Sequence, residues 1–149
     1  MKIARVTLQD DLIAICAQLT PEKWGKDNEM KQYELEALQQ FLAEAHNLLV
    51  LAWSGNSIVG VALGYVLMHP DGKEHSLYIH ELDTHPDFRR QGIATKLIQW
   101  LREYASIHAL QEVWLSTELE DNESANRFYR ALLPDETLKS VIYSYNAQE

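Results

Sequence analysis

A single cysteine in a chain of 149 residues leaves no internal disulfide to brace the fold. Stability must come from an apolar core, which a chain of this length can bury without metal or cross-links. That cysteine, Cys16 in DLIAICAQL, falls at an apolar helix position and reads as core packing rather than as a nucleophile. Basic residues are also scarce: 13 Lys and Arg stand against 22 Asp and Glu, a formal charge of −9. This balance argues against binding nucleic acid or an anionic membrane surface and favours a cationic partner. The apolar stretch 57–68 is too short to span a bilayer, and MKIARVTLQDD lacks the apolar run of a signal peptide, so a cytoplasmic protein is expected. No repeat, low-complexity tract or linker interrupts the chain, which implies one domain over 1–149.

What is present is a regular alternation of patterns. Ile3 to Val6 reads as a short strand, and Asp10 and Asp11 precede the helical spacing of Leu12, Ile15, Cys16 and Leu19. TPEKWGKDN reads as a loop, and Met30, Ala37, Leu38, Phe41, Leu42 and Ala45 mark one face of a second helix. Leu48 to Trp53 and Ile58 to Met68 flank SGNS as an antiparallel hairpin, and Ser76 to Thr84 follows the turn HPDGKE as a further strand. Ile93, Leu97, Ile98, Leu101, Tyr104 and Ala105 repeat at helical spacing. Glu112 to Thr117 then reads as a buried strand, Ser124 to Leu133 as a helix and Thr137 to Tyr145 as a closing strand. The order is that of an α+β domain.

One short stretch departs from the acidic background. PDFRRQGIATKL sets Arg89, Arg90, Gln91, Gly92, Ile93, Ala94 and Thr95 at a helix start, where unpaired N–H groups and partial positive charge attract anions. Gly92 lets the backbone come close to a ligand, Thr95 adds a hydroxyl, and the arginines neutralise phosphate. The stretch is neither a Walker loop nor a dinucleotide fingerprint. His75, His80 and His85 recur at intervals of five with no close Cys/His pair, so no metal is expected.

The run IHELDTHPDFRRQGIA resembles the acetyl-CoA motif of the GNAT superfamily of N-acetyltransferases, with the turn Arg89-x-x-Gly92-x-Ala94. Further on, Asn122-x-x-Ala125-x-x-Phe128-Tyr129 is similar to that family's N-x-x-A-x-x-[LF]-Y helix. Thr84 stands where the motif has valine, and ALLPDE replaces the K-x-G-F that commonly follows its tyrosine. The resemblance implies a GNAT acyl-CoA N-acyltransferase fold, a mixed but mostly antiparallel twisted sheet flanked by about four helices, with acetyl-CoA as co-substrate.

It also implies roles. Backbone groups of Leu82 and Thr84 would hold the pantetheine arm with Asp83 between them, amides from Arg90 to Thr95 and the charge of Arg89 would hold the pyrophosphate, and Asn122 and Ala125 would add coenzyme contacts. Tyr129 would protonate the departing sulfur and the Leu82 N–H would meet the oxyanion. Glu81 is the expected base, because strand alternation points it away from Leu82; the same alternation sends the rival His80 to the other face. Asp83 would share Glu81's face. YIHELDTHPDFRRQGIATKLI further resembles GNAT-type aminoglycoside 3-N-acetyltransferases, with Glu81 at their proposed catalytic aspartate. Glu81 and Asp83, with the acidic rim Glu118, Glu120 and Asp121, would then hold a polycationic aminosugar, aided by Glu22, Asp27 and Glu29. Acetylation would proceed by direct attack in a ternary complex. Acceptors such as a polyamine, a small metabolite amine or a peptide N-terminus, a non-catalytic acyl-CoA sensor, and a homodimer remain open at this point.

Overall fold

The computed structural model describes residues 1–25 and 30–148, in two compact units, Met1–Ser116 and Thr117–Glu149. Asp27 and Glu29 of the expected rim lie outside the described residues.

The first unit holds a five-stranded sheet in the order β1-β2-β3-β4-β5, made of Lys2–Arg5, Asn47–Ser54, Ser57–Leu67, Ser76–Thr84 and Glu112–Trp114. Neighbours are antiparallel except β4 and β5, which run parallel. Strand β2 shows why the sheet is central. Its residues alternate between two cores, Leu49 and Leu51 on one face and Leu48, Val50 and Ala52 on the other, all fully buried.

The first face is covered by α1 (Leu12–Gln18), α2 (Pro21–Trp24) and α3 (Leu35–Ala43), through Leu12, Ile15, Cys16, Trp24 and Leu38. The Cys16 thiol is buried, as expected, and burial pushes its pKa up, with the Glu34 carboxylate adding to the shift. The other face is covered by α4 (Ile93–Ile107), through Ile93, Leu97 and Leu101. Gly60 of β3 is where the sheet approaches that helix. A Cβ there would lie 2.6 Å from Ile93 Cγ2 and 3.0 Å from Leu97 Cδ1, so only glycine lets α4 seat at this depth.

Three elements of the first unit differ from expectation. The loop TPEKWGKDN contains the helical turn α2, because Thr20 accepts from the Lys23 N–H, Pro21 fits the first helical position and Gly25 leaves it at φ 86°. With it the described residues hold five α-helices, where about four were expected. Helix α3 starts at Leu35 rather than Met30. Glu34 just before it is extended, and the Tyr33 N–H donates to the Leu19 carbonyl at 3.2 Å. Strand β5 is three residues long and largely exposed rather than a buried run to Thr117.

The second unit is built on α5 (Glu123–Ala131), close to the expected helix. The expected closing strand Thr137 to Tyr145 does not form among the described residues. Leu138, Val141, Ile142, Tyr143 and Tyr145 are each more than 70% exposed. Strand-forming side chains do not suffice where no neighbouring strand takes up their N–H and C=O groups.

Candidate active site

Strand β4 carries the predicted site residues Glu81 to Thr84, and its edge is only half used. Strand β5 pairs with it at Ser76, Leu77 and Tyr78, while β4 continues to Thr84. From Ile79 onward no strand of the described residues lies along that edge.

A register shift falls inside the same stretch. Leu63 pairs with Glu81 but Gly64 with Ile79, so His80 is the extra residue of a β-bulge. The bulge resets the alternation. Ile79 and Leu82 both pack into the α4-side core, although they stand three apart. The His80 ring lies on the opposite face, 5.8 Å from both Tyr65 and Tyr78. Glu81 turns to that face as well, across from Leu63 and with its charge raising the Tyr33 and Tyr65 phenols, to which burial contributes most. The expectation that His80 alternates away from Glu81 is therefore corrected: simple period-two counting does not see a bulge. Glu81 opposite Leu82 stands as read.

At the end of β4 the backbone is tied locally. The Asp83 carboxylate accepts from the Thr84 N–H at 2.8 Å, and the Thr84 carbonyl accepts from Arg89 Nε at 3.4 Å. His85 then opens a 3-10 turn, Pro86–Phe88, and its ring packs edge-on against Trp24 and Phe88. Two residues of the following turn are left-handed, Arg90 at φ 61° and Gly92 at φ 76°. Gly92 is the N-cap of α4 and supplies no side-chain bond to the helix, so the first-turn N–H groups of Ile93, Ala94 and Thr95 have no capping side chain. Arg89, Arg90 and Gln91 are exposed. The glycine was legible in sequence; the strained arginine was not, since only Gly, Asn and Asp advertise left-handed backbone.

In the second unit Asn122 is the N-cap of α5 and donates from Nδ2 to Thr117 Oγ1 at 3.2 Å. Asn126, which sequence reading passed over, donates to the carbonyls of Glu118 at 2.7 Å and Asn122 at 2.9 Å and so ties the acidic loop to the helix. Glu118, Glu120 and Asp121 are exposed, and Ala125 and Tyr129 are half-buried. Burial pushes the Tyr129 phenol up, so it stays protonated through neutral pH.

Two further features had no sequence signal. Tyr33 has a buried hydroxyl without a hydrogen-bond partner among the described residues. A pocket of about 610 Å³ lies beside the 3-10 turn, lined among others by Gln18, Lys23, Trp24, His85 and Phe88, and it excludes Glu81. Elsewhere, the exposed turn before β4 gathers His69, Asp71 and Glu74. The Asp71 carboxylate there accepts from the N–H groups of Lys73 and Glu74, which hold its pKa down.

The comparisons with known proteins agree with this geometry. The chain is 25% identical over 116 residues to an aminoglycoside N(6')-acetyltransferase type 1 of Acinetobacter baumannii, covering 75% of this chain and 79% of that protein. An aminoglycoside acetyltransferase, meta-AAC0020, from an uncultured soil metagenomic sample, solved in complex with sisomicin, superposes with a TM-score of 0.84 at 24% identity, over 99% of this chain and 96% of that one. AAC(6')-Iy in complex with the bisubstrate analog CoA-S-monomethyl-acetylneamine shares the fold at a TM-score of 0.75 and 17% identity, over 98% of both chains. Residues 13–133, from within α1 to just beyond α5, match the acetyltransferase (GNAT) family. A mostly antiparallel sheet with a half-paired fourth strand, a left-handed turn feeding a helix, and a sequence match across most of the chain lead to one conclusion: this protein belongs to the GNAT family of acetyltransferases.

Proposed function

We propose that this acetyltransferase moves acetyl from acetyl-CoA to an amine of an aminoglycoside, with both substrates bound at once. The observation that carries the proposal is the edge of β4. With no strand of the described residues beside it beyond Tyr78, it leads straight into the Arg90 and Gly92 turn at the start of α4. An exposed strand edge takes an extended, amide-bearing chain as an added strand. A turn of gathered N–H groups at a helix start takes a diphosphate. The two lie in succession, as the pantetheine arm and pyrophosphate of the coenzyme do. Leu82, Asp83 and Thr84 would hold the arm once the Asp83 carboxylate releases the Thr84 N–H. Arg89, Arg90, Gln91, Gly92, Ile93, Ala94 and Thr95 would hold the diphosphate, and Asn122 and Ala125 would contribute from the second motif.

In the chemistry we assign, Glu81 takes a proton from the acceptor amine, directly or through one water, as its nitrogen bonds to the thioester carbonyl carbon. The Leu82 N–H donates to the oxygen that becomes negative. The C–S bond then breaks and the Tyr129 phenol gives its proton to the sulfur. A phenol kept protonated by burial suits that task.

The aminoglycoside assignment rests on the named relatives and on the acidic balance of the chain, with Glu81, Asp83, Glu118, Glu120 and Asp121 as the attracting carboxylates. Which amine reacts is the finer question. The segment 78–98 resembles 3-N enzymes, whereas the bacterial relative is named for the 6' amine. The proposal extends to a cytoplasmic location and to a homodimer, for which the exposed Leu138, Val141 and Ile142 offer apolar surface.

Release of the coenzyme thiol, followed over a panel of aminoglycosides, spermidine and a peptide with a free N-terminus, tests the proposal. Turnover on aminoglycosides is expected, and mass and NMR analysis of the product then identifies the acetylated nitrogen. Turnover confined to other amines would replace the acceptor class. Stabilisation by acetyl-CoA with no turnover on any amine would make the protein a sensor.

A further inference from the structure

Five rings run in an unbroken row along one face of the first unit. Phe41 of α3 meets Tyr65 of β3 at 5.9 Å between centroids, Tyr65 meets His80 of β4 at 5.8 Å, His80 meets Tyr78 at 5.8 Å, and Tyr78 meets Trp114 of β5 at 4.5 Å. The first three contacts are edge-on and the last is tilted by 35°, so the rings offer both faces and edges. Sheet geometry explains the row. Tyr65 and Tyr78 are cross-strand partners, Tyr78 pairs with Trp114, His80 shares the face of Tyr78 two residues on, and the bulge at His80 turns Glu81 to that face as well.

The row is not core. His80 is exposed, Trp114 is 39% exposed, and Tyr65 and Tyr78 are only half-buried. Single exposed aromatics are ordinary, but a contiguous line of them over three strands marks a binding surface. Its charge setting is one-sided. Strands β2 to β5 contain no Lys or Arg, while Glu81 sits on the same face beside His80 and Tyr65.

From this row and its neighbouring carboxylate, we infer that Tyr65, His80, Tyr78 and Trp114 form a stacking platform for a saccharide ring bearing ammonium groups. The inference rests on the acetyl-transfer proposal and names what holds the acceptor beside Glu81. An aminosugar satisfies both halves of the surface: its C–H face lies on the rings, and its ammonium groups meet π faces and the carboxylate. A linear polyamine or a cationic peptide can bring a charge to the π faces and the carboxylate but has no C–H ring face to lay along the row. Trp114, at the far end from Phe41, is the residue whose loss disturbs the core least.

The test compares the wild type with Trp114→Leu and Trp114→Phe. Because Trp114 Nε1 donates to Ser76 Oγ at 3.1 Å, the Phe variant removes that bond and keeps a ring, and it controls for a structural effect. Two readouts are needed. The first is the shift of the Trp114 indole N–H in a two-dimensional NMR spectrum on adding neamine without acetyl-CoA. The second is the KM for aminoglycoside set against kcat and the KM for acetyl-CoA. The expected result is a saturable indole shift, together with a KM for aminoglycoside raised about threefold to tenfold in Trp114→Leu and restored in Trp114→Phe, with the acetyl-CoA KM unchanged. A shift without any turnover would support the platform and overturn the acetyl-transfer proposal. Turnover with a silent indole and an unchanged KM would overturn the platform alone. Neither signal would overturn both.

Discussion

His80 and Glu81 are adjacent in sequence yet face the same side of the sheet, because the bulge opposite Leu63 and Gly64 inserts one residue into β4. Both therefore compete for the role of base. The proposal assigns it to Glu81, so Glu81→Gln should lower kcat by about 10²-fold or more at saturating acetyl-CoA. His80→Phe, which keeps a ring and removes the titratable nitrogens, should leave kcat within about threefold. Steady-state rates from pH 6 to 9 check both, and the reverse pattern would transfer the base to His80.

The left-handed turn can be probed by separating stability from binding. Gly92→Ala has no steric neighbour within 4 Å but must hold a φ of 76°, so it should cost about 1–2 kcal/mol of stability and weaken acetyl-CoA binding as well. Arg90→Gly relieves the strain at φ 61° while loosening the unfolded chain, effects of similar size and opposite sign, and should leave the melting temperature nearly unchanged. Its loss should appear in coenzyme affinity, by about tenfold for one charge-assisted bond. Calorimetry with acetyl-CoA alongside thermal melts distinguishes the two variants.

Gly60→Ala tests whether α4 is seated by the sheet. The added methyl meets Ile93 Cγ2, an atom on a buried β-branched side chain that has little freedom to move. Overpacking of this kind costs about 1–3 kcal/mol. Since Ile93 is the first residue of α4, acetyl-CoA affinity should fall with the melting temperature, although Gly60 is not itself one of the ligand contacts we propose. A lower melting temperature with unchanged affinity would separate the helix seat from the turn.

Tyr33→Phe removes a buried hydroxyl that has no partner among the described residues, and it should stabilise the fold by up to about 1 kcal/mol. The same residue contributes to pH dependence. Burial, then the Glu81 charge, raises the Tyr33 phenol above its unfolded value, and burial raises Tyr65 and Tyr129 likewise. Groups raised in this way contribute stability that is fully present below a pH of about 10, the unfolded tyrosine value, and lost as pH rises through the folded ones. Melting temperatures from pH 8 to 11 should therefore fall above about pH 10, and less steeply in Tyr33→Phe.

What could be read from sequence, and what could not, follows from range. Helices α1 and α4 and the β2–β3 hairpin announce themselves through periodicity and local turn residues, and the Gly92 turn through a spaced motif. The bulge at His80 comes from pairing between distant strands, and no local pattern encodes it. The aromatic row was hidden for the same reason, since Phe41, Tyr65, Tyr78 and Trp114 are scattered through the chain until strand register aligns them. Thr137 to Tyr145 shows the converse, a strand-like pattern without a strand. Helix α2 was missed because one turn is too short to show a period, although Thr20, Pro21 and Gly25 mark its ends.

The most direct measurement is a titration of the ¹⁵N-labelled protein with acetyl-CoA, read at individual backbone amides. The proposal predicts saturable shifts at Arg90 to Thr95 and at Leu82 to Thr84, with those of β1 and the β2–β3 turn unmoved. Binding that leaves the amides around Gly92 unshifted, or no binding at all, would contradict it.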